Sequence, residues 1–292
     1  MTGGLEQVLA EIEDDRGLVK PDGMRKRLEA LDRLDAYFPE IENAEHGDEA
    51  DTAELGRRSR DLRDRLEKRN RELYAAIRYE IQRGDPGGLM KWVDALAESE
   101  GGREPAKSLR YDNADELISG VFQFAEPEVG KMAKGTEMVF YQPTPARHIF
   151  DLIHRTALTD ADVLVDLGSG LGHVPLLVSI CTRARTHGIE LEGRYVERAR
   201  ECARTLNVHT ATFEQQDARE ADLSTGTVFY LHTPFKGSIL RSVLNRLKGE
   251  AARRPIRICS YGPCTATLSE EPWLEAELVP DVKRIALFNV RP

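Results

Sequence analysis

The stretch Val163-Leu-Val-Asp-Leu-Gly-Ser-Gly-Leu-Gly172 decides how this chain reads. An apolar, β-branched run ends at Asp166 and Leu167, and Gly168, Gly170 and Gly172 follow at every second position. A helical pattern begins near His173. The sequence predicts a buried parallel strand, a turn stripped of side chains, and a helix N-terminus aimed at a ligand. Glycines there let the backbone approach a ligand and adopt positive φ. The spacing matters. A dinucleotide fingerprint is G-x-G-x-x-G with an acid about 20 residues on; here the third glycine comes one place early, and Asp166 stands two places before the first.

Outward from that turn, strands alternate with helices. Strands are predicted over 163–167, 185–190, 209–213, 227–231 and 256–261, with helices over 173–182, 194–206 and 238–249 between them. Two further strands, near 275–279 and 284–290, are separated by Pro280-Asp281. Alternating strand and helix implies a parallel sheet with right-handed crossovers.

The form D-x-G-x-G-x-G resembles motif I of the class I S-adenosylmethionine-dependent methyltransferases, and the resemblance runs over roughly 138–292. It implies an α/β fold: a seven-stranded, mostly parallel Rossmann-like sheet with helices on both faces and the last strand inserted antiparallel. It also implies S-adenosylmethionine as cofactor, held at Asp166, Gly168, Ser169, Gly170 and Gly172. Glu190, ending the second strand, would accept the ribose hydroxyls; Glu192 competes for that role. Asp217, with Ala218 beside it, would take the adenine amino group, although an Asp after a strand also serves as a helix cap. Phe140-Tyr-Gln-Pro-Thr-Pro145 resembles a Y-x-P-T-P module of seven-strand enzymes that include protein-lysine methyltransferases. It implies Tyr141 and Thr144 at the methionine end. Thr144 before Pro145 also reads as an ordinary helix start.

The fourth strand leads into His232-Thr-Pro-Phe235, where amino-methylating relatives carry Asn/Asp-Pro-Pro-Tyr/Phe. Only Pro234 and Phe235 match. The departure argues against a nucleobase or glutamine amide as target. It leaves Thr233, Pro234 and Phe235 as substrate contacts, and His232 as either a base or a wall that also touches cofactor. An imidazole at its ordinary pKa suits deprotonation of a hydroxyl or an ammonium, and Tyr141 is the other candidate proton acceptor. Three readings follow: methylation of a small molecule at N or O by in-line displacement, methylation of a protein lysine or N-terminal amine, and cofactor binding without catalysis.

The chain has 292 residues and a formal net charge of −9. Residues 1–100 hold 17 Lys and Arg against 25 Asp and Glu; the remainder holds 24 against 25. Such a balance disfavours nucleic acid, whose binding rests on positive charge, and leaves a small-molecule acceptor or a basic peptide. No apolar run approaches a membrane span. The chain opens without a signal-peptide pattern. Cys181, Cys202, Cys259 and Cys264 form no C-x-x-C, which predicts reduced thiols and a cytoplasmic protein. Dispersed histidines predict no metal site.

Residues 1–125 form an all-α N-terminal region, expected to cover the substrate pocket of a domain at 126–292. Helices are predicted over 5–12, 22–38, 53–83, 89–98 and 115–124, another over 146–157, and an acidic loop over 40–52. The long helix carries one apolar stripe at Leu55, Leu62, Leu66, Leu73, Ile77 and Ile81. A packed intramolecular helix suits it better than a coiled coil, and a homodimer through these helices stays open.

Overall fold

A computed structural model describes residues 2–20, 22–37, 50–99, 112–124, 142–233 and 235–291. Two compact units divide the chain, Met1–Ile77 and Arg78–Pro292. The division falls inside one helix, not near residue 125 as the sequence suggested. The reason is packing: the helices over 87–99 and 113–122 associate with each other and with the helix before the sheet, so they belong with the sheet.

The first unit contains α1 (Thr2–Asp14), α2 (Met24–Asp35) and most of α3 (Ala50–Gln82). Leu5, Leu9, Ile12, Leu34, Leu55, Leu62 and Leu66 share one buried cluster, so the first half of the apolar stripe is used within the unit. Arg27 is buried there. Its Nε donates to Asn70 Oδ1 at 2.6 Å and its Nη1 to the carbonyls of Leu18 and Lys20, which satisfies a cation that burial would otherwise penalise. Most of the expected acidic loop lies outside the described residues, and its last three positions, 50–52, are helical.

The second unit continues with α4 (Gly87–Ser99), α5 (Asn113–Phe122), α6 (Ala146–Thr156), β1 (Val163–Leu167), α7 (His173–Cys181), β2 (Arg185–Glu190), α8 (Gly193–Thr205) and β3 (Ala211–Gln215). It ends with β4 (Val228–His232), α9 (Gly237–Ala251), β5 (Arg257–Tyr261), α10 (Cys264–Ser269), β6 (Leu274–Ala276) and β7 (Ala286–Val290). The sheet order is β3-β2-β1-β4-β5-β7-β6. The first five strands are parallel, and β7 runs antiparallel between β5 and β6. β1 is buried at all five positions, as a strand covered on both faces must be. One face packs Val163, Val165, Leu167, Phe229 and Leu231 against Leu240, Val243, Leu244 and Leu247 of α9.

Several strands sit differently from the sequence reading. β3 lies two residues later, because Thr210 supplies a loop carbonyl to Thr186 before the strand begins. β4 takes in His232, which pairs with Tyr261 of β5. β6 stops at Ala276: Leu278 and Val279 are exposed and have no sheet face to cover. Among the described residues no helix is long and apolar enough to cross a membrane.

Strand order reverses between β1 and β4, the crevice where open α/β sheets bind ligands.

Candidate active site

The glycine turn is strained in the way the sequence anticipated. Gly168, Gly170 and Gly172 have φ of 92°, 52° and 84°. A Cβ on Gly172 would lie 2.5 Å from the Phe213 ring, so glycine is needed there for space as well as for backbone angle. The amides of Gly168 and Ser169 donate to the Ile189 carbonyl at 2.8 and 3.0 Å. Glu190 completes the tie: its Oε2 accepts from the Gly170 amide and its Oε1 from the Glu192 amide, both at 2.9 Å. One carboxylate thus fixes the turn after β1 to the turn after β2. Glu192 does something else, capping α8 by accepting from the Arg194 amide at 3.3 Å.

A cleft of about 370 Å³ opens over this turn. Of the residues singled out in the sequence, Thr144, Asp166, Gly168, Ser169, Glu190, Asp217, Ala218, His232, Thr233 and Phe235 line it. Gly170 and Gly172 shape the turn without lining the cleft. Tyr141 and Pro234 lie outside the described residues. Asp166 is buried beneath the turn, and burial first, then the nearby Glu190 carboxylate, hold its carboxyl well above the usual range. Ser169 Oγ is buried in the cleft wall with no hydrogen-bond partner among the described residues. Asp217 is engaged by Arg219, whose Nη2 donates to Oδ2 at 2.6 Å and whose amide donates to Oδ1 at 2.8 Å. Those bonds hold its carboxyl below the usual range. It caps a turn, and no helix starts at Asp217.

The far wall is built by long-range contacts. Thr144 Oγ1 stands 2.8 Å from the Tyr230 hydroxyl and 3.2 Å from His232 Nδ1, joining the segment before α6 to β4. The His232 ring packs on Tyr261 with centroids 4.8 Å apart. Burial pushes its pKa down to about 4, which overturns the expectation of an imidazole titrating near neutrality. Such a group is uncharged at pH 7. Thr233 sits at φ 40°, an unusual angle for a β-branched residue. Its Oγ1 holds it there, donating to the Tyr261 carbonyl at 3.2 Å and accepting from the Cys264 amide at 3.1 Å.

Asp115 of α5 supports the same wall. Its Oδ1 accepts from the Ala146 amide at 2.7 Å and its Oδ2 from the Asp112 amide at 2.9 Å, pinning the start of α6. Burial raises its carboxyl to about 6. A smaller cavity of about 170 Å³ lies between Asp115, Pro143, Thr144 and His173. Sequence reasoning missed Tyr230, Tyr195, Leu191 and Gly262 in the main cleft. Tyr230 carries one available signal, a hydroxyl inside an otherwise apolar strand.

Residues 128–229 match the model of the family described as histone methylation protein DOT1. No curated protein matches the chain. Among solved structures it is similar to an RNA methyltransferase from Salinibacter ruber in complex with S-adenosyl-L-homocysteine, at 25% identity over 51% of this chain and 92% of that one, TM-score 0.42. It is also similar to precorrin-6y C5,15-methyltransferase from Geobacter metallireducens, at 16% identity over 53% and 92%, TM-score 0.40. A third is an S-adenosylmethionine-dependent O-methyltransferase from Thermotoga maritima, at 13% identity over 52% and 67%, TM-score 0.38. The family match spans the glycine turn, Glu190, Asp217 and the first residues of β4, and together with the strand order of the sheet beneath them it supports a class I S-adenosylmethionine-dependent methyltransferase.

Proposed function

We propose that this enzyme methylates a nitrogen or oxygen of a small molecule. The observation that carries the reading is the acceptor side of the cleft. His232, Thr233, Phe235, Ile239, Gly262 and Pro263 face it, and no carboxylate does among the described residues. That wall suits an acceptor with an apolar body that arrives uncharged, since it offers an ammonium nothing to pair with.

S-adenosylmethionine supplies an electrophilic methyl on a sulfonium. The residues present fit such a molecule: Ser169 Oγ is a buried polar atom awaiting a partner, and Gly172 keeps the floor of the turn open. In this reading Glu190 takes the ribose hydroxyls, because it lines the cleft while Glu192 is used as a cap. Asp217, whose carboxylate is shared with Arg219, and Ala218 would hold the adenine. Thr144 and the backbone of 168–170 hold the methionine end. The apolar wall would exclude water and orient the acceptor. An amine acceptor enters as the free base, its ammonium proton left in solvent, and leaves as the methylated ammonium.

A protein-lysine or N-terminal-amine acceptor is the second reading. It is favoured by the match of residues 128–229 to a family described by histone methylation. Incubation with methyl-labelled S-adenosylmethionine, a protein extract and a separate small-molecule fraction distinguishes the two. Label in small molecules is expected; label confined to lysine side chains or N-termini overturns the first reading in favour of the second.

A further inference from the structure

Tyr230, Thr144 and His232 form a hydrogen-bond chain whose direction can be worked out. The Tyr230 side chain is 1% exposed, and its hydroxyl lies 2.8 Å from Thr144 Oγ1. A phenol has one proton, and when buried it donates it. Asp166 is the cross-strand neighbour of Tyr230 but makes no hydrogen bond to it, so Thr144 is the acceptor among the described residues. Thr144 therefore accepts from Tyr230 and has its own single proton left to give. Its remaining neighbour is His232 Nδ1 at 3.2 Å. A nitrogen that accepts that proton carries none itself, and a neutral imidazole then has its proton on Nε2. The opposite order would leave the phenol proton without an acceptor among the described residues.

The ring is held in this orientation by Tyr261 on its face, and no described residue bonds Nε2. His232 lines the cleft beside Thr233 and Phe235, on the side away from Glu190 and Asp217. We infer that His232 is a fixed hydrogen-bond donor, not a base, and that its Nε2–H receives a carbonyl oxygen of the methyl acceptor. Tyr230 and Thr144 are positioning residues that set its tautomer. The ligand half of this inference rests on the methyltransferase reading; the tautomer does not.

The tautomer is read directly by nitrogen NMR of the ligand-free protein with labelled histidine, His232 being assigned by its loss in His232→Gln. At pH 7 a pyridine-like Nδ1 and a pyrrole-like Nε2 are expected. Thr144→Ser keeps that pattern, while Thr144→Val and Tyr230→Phe mix in the other tautomer. A wild-type Nδ1–H tautomer, or an imidazolium, overturns the inference, and this holds whether or not the Thr144 and Tyr230 variants fold. The oxygen could also be the carboxylate of the cofactor's methionine. Titration of S-adenosylhomocysteine into His232→Leu separates the two sources. Affinity within about twofold of wild type is expected for a donor that serves the acceptor; a loss of about tenfold or more assigns the donor to the cofactor and overturns the acceptor half.

Discussion

On the β1–β3 side of the cleft, Glu190 and Asp217 are carboxylates already tied to backbone amides or to Arg219. On the β4–β5 side, His232, Thr233, Phe235 and Ile239 bring no charge. The difference teaches how the labour is divided. On the proposed reading, a polar, many-handed cofactor would be held by groups preorganised by the sheet, and an uncharged acceptor by shape and by few donors. The first side is assembled from neighbours in one turn and two strand ends. The second needs contacts across 86 and 88 residues of sequence, from Thr144 to Tyr230 and His232.

The comparison breaks most severely at the glycine turn. Gly172→Ala places a Cβ against Phe213, so it is expected to lower stability and to weaken S-adenosylhomocysteine binding by about 100-fold or more. Gly84 is the control: it has φ 77° but open space around it, so Gly84→Ala is expected to cost only the left-handed strain, about 1–2 kcal/mol, with binding intact. Equal effects in the two variants, read by thermal melts and calorimetry, would mean that the turn holds no ligand.

Glu190→Ala removes charge-assisted bonds and is expected to weaken S-adenosylhomocysteine binding by about 1.5–3 kcal/mol, or roughly 10- to 150-fold. Asp217→Ala is expected to cost less, since Arg219 already shares that carboxylate. A larger loss at Asp217 than at Glu190, measured in the same titrations, reverses the ranking.

The glycine turn and the strand ends beside it were legible because their structure is written locally. Three alternating glycines and an acid at a strand end have few other uses, and the order of strands followed from their alternation with helices. The far wall was not. His232 was visible as a residue, but its lowered pKa comes from burial by segments distant in the sequence. Tyr230 looked like one more apolar strand position. The boundary at Ile77 was hidden because α3 runs through it without a break, whereas the glycines and polar residues after 100 read as a linker.

The neutrality of His232 gives a pH test. Its folded pKa, about 4, lies below the ordinary 6.5, so the unfolded chain binds more protons between those values. Stability from this group is therefore full above about pH 6.5 and is lost as pH falls toward 4. Relative to wild type, His232→Gln is expected to gain up to about 1.4 kcal/mol per pH unit over that window, read by denaturant melts. A constant difference between the two proteins would contradict the lowered value. The turnover rate between pH 6 and 9 should follow the acceptor's own ionisation in both proteins.

Glu192→Ala is the smallest change. It is expected to leave S-adenosylhomocysteine affinity unaltered and to cost about 0.5–1 kcal/mol of stability through the lost cap of α8. Weakened binding there, with none at Glu190, would exchange the two carboxylates.

The most direct measurement is calorimetric titration of S-adenosylhomocysteine and of NAD into the wild-type protein. The early third glycine, with Asp166 beneath the turn and Glu190 closing it, is expected to give one site of micromolar affinity for S-adenosylhomocysteine and no heat with NAD. Binding of NAD without a response to S-adenosylhomocysteine would contradict the reading of this site.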